Sequence, residues 1–167
     1  MKTESLSKAH NRAGFDCGDE DLNTFLRQTA LQQAKKELGR TYVLTDERCG
    51  EDILGFYTLV PYHVSPAFFP HNIAKNYPKQ NIPGVLLGRL AVSLPNQRKG
   101  LGQILLVSAM KKTLASSDMI GGVGLFADVK NENVRKFYEK FGFSSFPGYD
   151  LKMYLPLKEI KRVLDTA

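Results

Sequence analysis

The 167-residue sequence lacks the features that mark several common classes of protein. Its two cysteines, Cys17 and Cys49, are too few and too isolated for a disulfide framework or a zinc site. No stretch approaches the roughly 20 apolar residues of a membrane-spanning helix, and residues 1–18 contain no apolar run of signal-peptide length. His63 and His71 fit no metal-ligand spacing. We therefore expect a cytoplasmic protein that has neither a membrane anchor nor a metal.

Acidic residues are also scarce relative to basic ones. Asp and Glu number 17 against 23 Lys and Arg, so the formal net charge is +6. A basic chain favours an anionic partner, although the charge alone does not identify it. The hydrophobic fraction of 43% and the charged fraction of 24% are ordinary for a globular protein of this length, which is long enough to bury a core.

Apolar patterns in the first half predict a helix, a hairpin and a long loop. The helix is expected over 19–38, with Gly39 as its end. Its apolar face comprises Leu22, Phe25, Leu26, Ala30 and Ala34. Strands follow at 40–45 and 53–60 around a charged turn. The loop at 61–83 is rich in proline and aromatic residues, and its role stays open among an acceptor channel, a partner surface and packing on itself.

The stretch from Val85 to Ser116 is the centre of the sequence. An apolar run predicts a strand over 85–92, and a turn signal at Pro95 follows it. From Leu101 the apolar period becomes that of a helix. The expected stripe comprises Leu101, Ile104, Leu105, Val107, Met110 and Leu114. Beyond it we expect a strand over 120–129 containing three glycines, a helix over 131–140, a strand over 151–155 and a helix over 158–164.

Strand and helix patterns alternate in the middle of the chain, and hairpin patterns stand at both ends. This order predicts a single α/β domain over residues 1–167, in which helices flank a mixed central sheet.

The loop between the central strand and helix has the composition of an anion site. It runs from Gln97 to Gly102 and places two glycines and the charges of Arg98 and Lys99 at a helix start. The first turn of a helix leaves N–H groups without intrahelical partners, and the helix dipole adds positive charge there. Successive N–H groups from Arg98 to Gln103 suit a diphosphate. On spacing alone, a helix with glycines near its start explains the loop equally well.

A resemblance decides between these interpretations. Gln97-x-x-Gly100-x-Gly102 after Leu90-Ala91-Val92 resembles the acyl-CoA-binding motif of the GNAT acetyltransferase superfamily. A second segment, Asn131-x-x-Val134-x-x-Phe137-Tyr138-x-x-x-Gly142-Phe143, is similar to a later motif of that superfamily, with Val134 in place of the usual small residue. The resemblance implies the GNAT fold and acetyl-CoA as co-substrate. The implied acetyl-CoA contacts are Leu90, Ala91, Val92, Gln97, Arg98, Lys99, Gly100, Leu101, Gly102, Gln103 and Asn131.

The same resemblance implies that Tyr138 is the general acid of the transfer, and a buried aromatic side chain beside Phe137 and Phe141 is the competing interpretation. A free thiol has a pKa of about 8.5 and tyrosine one of about 10, so a phenol can protonate a leaving CoA thiolate. No strong base stands out in the sequence. An amine acceptor tolerates this, because an α-amino group with a pKa of about 7.7–8.0 is partly neutral at pH 7.

Further segments resemble the acetyltransferase toxins of bacterial toxin–antitoxin pairs within that superfamily. They are Phe15-Asp16-Cys17-Gly18, Gly55-Phe56-Tyr57-Thr58-Leu59, Leu87-Gly88-Arg89-Leu90-Ala91-Val92 and Tyr154-Leu155-Pro156-Leu157. This resemblance implies acetylation of the amino group of aminoacyl-tRNA, which blocks translation, a ribbon-helix-helix antitoxin as partner, and a homodimer. The alternatives are transfer to a protein or small-molecule amine, and a catalytically silent CoA- or RNA-binding module.

A tRNA acceptor requires cations that face its phosphates. Arg89 is the first candidate, because a long cation in an otherwise apolar strand is costly unless it has a partner or faces a groove. Lys36 and Arg40, at the end of the first predicted helix, are second candidates. A structural ion pair of Arg89, and a solvated helix end for the other two, are the competing interpretations.

Overall fold

The computed structural model describes residues 1–166 and contains a seven-stranded sheet with the order β1-β2-β3-β4-β5-β7-β6. The strands are β1 Lys2–Ser5, β2 Arg40–Thr45, β3 Gly55–Val64, β4 Ile82–Val92, β5 Gly124–Asp128, β6 Ser144–Phe146 and β7 Tyr149–Pro156. The helices are α1 Glu20–Thr24, α2 Ala30–Lys35, α3 His71–Ala74, α4 Leu101–Ile120, α5 Glu132–Glu139 and α6 Leu157–Thr166, with a π-helical turn, Phe25–Thr29, between α1 and α2. This mixed sheet confirms the predicted α/β class.

The described chain forms two compact units. The first comprises residues 1–60 and 88–109, and the second comprises residues 61–87 and 110–166. In the first unit, β2 pairs antiparallel with both β1 and β3. Its core is a cluster of aromatic and aliphatic side chains from the N-terminal segment, the first helices and β2–β4. The cluster comprises Phe15, Phe25, Leu26, Ala30, Val43, Ile53, Phe56 and Ala91.

In the second unit, β5 pairs parallel with β4 and antiparallel with β7, and β6 closes a hairpin with β7. Aromatic rings dominate its core, and Phe69 contacts the rings of Phe126, Phe146 and Tyr154 at centroid distances between 5.2 and 6.2 Å. The segment predicted to be a loop, 61–83, is partly regular: it contains the end of β3, α3 and the start of β4. Its Phe69 side chain packs into this core.

Glycines place the boundary between α4 and β5 differently from the sequence-based expectation. A strand was expected from 120, but α4 continues to Ile120 and β5 begins at Gly124. Gly121 and Gly122 have φ angles of 88° and 119°, which favour glycine and end the helix. The expected stripe of α4 is wrong in part, because Ile104 is 41% exposed while Leu106 and Ala109 are fully buried.

The first helical segment also ends earlier than expected. It begins near the expected position, and Asp19 caps it, since its carboxylate accepts from the N–H groups of Asp21 and Leu22. However, α2 ends at Lys35, and Glu37 rather than Gly39 adopts the left-handed conformation, with φ of 61°. Gly39 serves packing instead, because a Cβ there would lie 2.6 Å from the Val60 side chain.

Candidate active site

The loop that precedes α4 has the backbone of an anion site. A short 3-10 turn, Leu94–Asn96, leads from β4 into it. Arg98 and Gly100 then take positive φ angles of 61° and 81° before α4 begins at Leu101. Ile104 N–H donates to Gly100 O at 3.4 Å and starts the helical hydrogen bonding. The N–H groups of residues 98–103 precede that bond, so they are the groups that a helix start offers to a diphosphate.

Gln97 holds this loop in place. Its side-chain amide nitrogen donates to the backbone oxygen of Val92 at 2.9 Å and to that of Cys17 at 3.0 Å. The loop is thereby tied both to the end of β4 and to a segment 80 residues earlier in the chain. Because that nitrogen already has two acceptors, it is engaged in fixing the loop, and a contact of Gln97 with acetyl-CoA stays a prediction.

The end of β4 lies beyond its pairing with β5. The parallel register joins Val85–Leu87 to Leu125–Ala127, whereas β4 continues through Leu90, Ala91 and Val92. A strand end that extends past its neighbour offers main-chain groups to an extended ligand. The predicted acetyl-CoA contacts at 90–92 lie on this strand end, and their contact with acetyl-CoA stays a prediction.

Close packing supports this strand end from the β3 side. A Cβ at Gly55 would lie 2.9 Å from Ala91 O and 2.8 Å from the Leu105 side chain, so only glycine fits there. Ser93 N–H also donates to Leu54 O at 2.9 Å. These contacts fix the path of the chain from β4 into the phosphate loop.

Tyr138 lies on α5 of the second unit and is buried between aromatic rings. Its ring meets those of Phe143 and Phe137 edge-on, at centroid distances of 5.0 and 5.5 Å. Burial raises the pKa of the Tyr138 hydroxyl well above the ordinary value of about 10. The phenol therefore stays protonated at neutral pH, as a proton donor must.

Asn131, a predicted acetyl-CoA contact, is the N-cap of α5. Its side-chain oxygen accepts from Val134 N–H at 3.0 Å. This cap orients the helix that carries Tyr138. The side-chain oxygen thus has a structural partner, and a contact with acetyl-CoA stays a prediction.

Arg89 lies on β4 with its guanidinium over an aromatic ring. Its Cζ is 3.7 Å from the centroid of Phe25, which is the geometry of a cation–π contact. Burial alone lowers the pKa of Arg89, and within residues 1–166 no carboxylate forms an ion pair with it. The structural ion pair considered above is therefore absent from the described chain.

The two other predicted tRNA contacts lie together at the end of α2. Lys36 is the exposed C-cap residue. Arg40 donates to the backbone oxygens of Ala34 and Gly39 at 3.0 and 3.2 Å and pairs with Glu37. Its cation thus has partners at and just beyond the end of α2, and an additional contact with tRNA stays a prediction.

Sequence reasoning missed the relation between Phe25 and Arg89. It assigned Phe25 to the apolar face of the first helix, and the ring does belong to the core, since it is 5% exposed. No sequence signal pairs a helical phenylalanine with an arginine 64 positions later.

Across the part of the chain that the structure covers, no cluster of three or more His, Cys, Asp or Glu residues has the geometry of a metal site. In the same residues, no helix is both long and apolar enough to cross a membrane.

The chain is similar to known proteins over nearly its whole length. Residues 37–145 match the family described as the acetyltransferase (GNAT) domain. A tRNA-acetylating toxin of Mycobacterium tuberculosis is 30% identical over 159 residues, which cover 95% of this chain and 93% of that protein.

Two solved structures extend this similarity to the fold. AtaT complexed with acetyl-methionyl-tRNAfMet has a TM-score of 0.89 and 31% identity, with 98% of each chain covered. A Tyr-to-Phe variant of the AtaT toxin, bound to the C-terminus of the antitoxin AtaR and to acetyl-CoA, has a TM-score of 0.82 and 30% identity. The alignment with that variant covers 98% of this chain and 97% of the other.

The match to the family spans well over half of the sequence and includes the loop before α4 and Tyr138. Together with the relatives, it confirms the resemblance that the two motifs indicated. The chain belongs to the acetyltransferase (GNAT) domain family.

Proposed function

We propose that this protein is an acetyltransferase toxin that moves the acetyl group of acetyl-CoA to the α-amino group of an aminoacyl-tRNA. The N-acetylated product has no free amine for peptide-bond formation, so translation is blocked. The observation that carries the proposal is the likeness to AtaT over 98% of both chains, because that protein is solved with acetyl-methionyl-tRNA bound.

The first unit supplies the acetyl-CoA site in this proposal. The N–H groups of residues 98–103 hold the diphosphate, and Arg98 and Lys99 add charge. The main chain of Leu90–Val92 takes the pantetheine arm as an added strand. The relatives support acetyl-CoA as the ligand, since a variant of AtaT binds it.

The second unit supplies the acid. The neutral form of the acceptor amine attacks the carbonyl carbon of the thioester. A C–N bond forms and the C–S bond breaks. The Tyr138 phenol gives its proton to the leaving sulfur, and the amine nitrogen loses its extra proton to solvent. The raised pKa of Tyr138 keeps this proton in place until sulfur develops negative charge.

The acceptor site rests on cations. Arg89 contacts the tRNA with a guanidinium that has no carboxylate partner within residues 1–166, and Lys36 and Arg40 extend the basic surface at the end of α2. The net charge of +6 is consistent with a polyanionic acceptor.

The proposal extends to assembly and location. Residues 1–167 act as one catalytic domain, and two copies form a homodimer. A ribbon-helix-helix antitoxin neutralises the toxin in the cytoplasm. The complex of the AtaT variant with the C-terminus of AtaR supports an antitoxin as partner.

The test compares acceptors in one assay. Purified protein is incubated with radiolabelled acetyl-CoA and, separately, with charged tRNA, the same tRNA after deacylation, a polyamine and a lysine-rich protein. We expect label in charged tRNA alone, and mass spectrometry of the released aminoacyl group should show one added acetyl. If the polyamine or the protein acquires label and the charged tRNA does not, the acceptor is another amine and this proposal is wrong.

A further inference from the structure

We infer that Phe25 is a positioning residue for the acceptor. Its ring holds the Arg89 guanidinium in the position where it binds a phosphate at the acceptor end of the tRNA. The inference rests on the proposed function, and it assigns a role to a core side chain that makes no direct contact with substrate.

The geometry of the pair is that of a fixed cation. The Arg89 Cζ lies over the Phe25 ring, 3.7 Å from its centroid, well within the range of a cation–π contact. The Phe25 ring is itself stacked on Phe56, with centroids 6.3 Å apart and an angle of 22° between the planes. Phe56 is fully buried, and the ring below the cation is therefore held by the core rather than by solvent.

The donors of Arg89 are available to a ligand. A guanidinium whose face is stacked keeps its five N–H donors in the plane of the group, where they match a phosphate in a bidentate way. Among the described residues no side chain or backbone oxygen accepts from Arg89. A half-buried cation without an anionic partner is costly, and binding of a phosphate removes that cost.

A π-helical turn, Phe25–Thr29, begins at the residue whose ring contacts Arg89. In Phe25–Thr29, Phe25 O accepts from Ala30 N–H, which is five residues later rather than four. Such turns occur frequently at functional sites, and here the turn begins at Phe25, whose ring contacts the Arg89 guanidinium.

The experiment measures steady-state kinetics with charged tRNA, together with calorimetric binding of acetyl-CoA. Phe25→Leu should raise KM for charged tRNA about 3- to 10-fold, the range expected for loss of one cation–π contact, and leave kcat and the acetyl-CoA affinity near wild type. Phe25→Tyr, which keeps the ring, should restore KM. Phe15→Leu is the matched control, because Phe15 packs edge-on against the same Phe56 at 5.4 Å.

Two outcomes overturn the inference. If Phe15→Leu raises KM as much as Phe25→Leu does, the effect comes from core packing. If Phe25→Leu still raises KM when Arg89 is replaced by Gln, Phe25 does not act through Arg89. Should Phe25→Leu fail to fold, Arg89→Lys decides: it keeps the charge and loses the planar fork, and a wild-type KM for this variant contradicts the inference.

Failure of the proposed function gives a different result. Wild-type protein that binds acetyl-CoA but does not acetylate charged tRNA refutes the function and the inference together. Wild-type activity with an unchanged KM in Phe25→Leu refutes the inference alone.

Discussion

Tyr138, the proposed proton donor, lies among aromatic rings. Tyr138→Phe removes one oxygen and keeps the ring contacts with Phe137 and Phe143. We expect kcat to fall about 10²- to 10⁴-fold, as for loss of a general acid, while the acetyl-CoA affinity stays unchanged. Single-turnover kinetics and calorimetry measure the two quantities.

A matched control removes another buried tyrosine hydroxyl. The Tyr57 hydroxyl lies 2.7 Å from Ser108 Oγ, so Tyr57→Phe should lower the free energy of unfolding by about 1 kcal/mol and leave kcat near wild type. Full turnover by Tyr138→Phe, with chemistry rate-limiting, would assign the acid role to another group.

The pH dependence of transfer follows from the same residue. The raised pKa keeps Tyr138 protonated throughout the neutral range, since even an unperturbed tyrosine ionises only near pH 10. The acceptor α-amine, with a pKa of about 7.7–8.0, is the group that changes state. We expect kcat/KM for charged tRNA to rise from about pH 6 to about pH 8 and then level off. Initial rates of thiol release measure this profile, and a decline between about pH 8 and 9 would contradict a protonated tyrosine as the acid.

The start of α4 is the proposed anion-binding element. In Gly102→Glu, a carboxylate enters the first turn of the helix, where it suits the helix dipole and occupies the place of the phosphates. The variant should therefore fold and bind acetyl-CoA at least about tenfold more weakly. The control is Ala115→Glu, which introduces the same charge at an exposed position of the same helix. Calorimetry measures the acetyl-CoA affinity of both variants. Equal affinity in the two variants would place the diphosphate elsewhere.

Elements with strong local signals could be predicted from the sequence. The bounds of β2 and the cap of α5 at Asn131 follow from a β-branched run and a capping side chain. β1 and β6 are edge strands of four and three residues, too short for a visible alternation. The π-helical turn cannot be predicted, because its apolar spacing is that of an α-helix. The bond from Gln97 to Cys17 O joins positions 80 residues apart, and only the fold brings them together.

At the scale of the whole molecule, the site residues divide by unit. The end of β4, the loop at 97–102 and Arg89 belong to the first unit. Tyr138 and Asn131, the N-cap of its helix, belong to the second. The first unit holds the groups that the resemblance assigns to binding, and the second holds the group assigned to proton transfer. Substitutions of these first-unit site residues should therefore change KM or ligand affinity, and Tyr138→Phe should change kcat.

Electrostatic recognition of tRNA gives the remaining prediction. Arg89→Glu should retain its fold and its acetyl-CoA affinity, yet lose transfer to charged tRNA. The introduced carboxylate at position 89 lies beside the Phe25 ring, where it repels the phosphate that the guanidinium is proposed to bind. Wild-type transfer under subsaturating tRNA should fall steeply between about 50 and 200 mM salt, as phosphate-dominated binding does. Lys161→Glu, an exposed position on α6, has the same change of charge and serves as the control. If Arg89→Glu acetylates charged tRNA at the wild-type rate across that salt range, Arg89 does not contact the RNA.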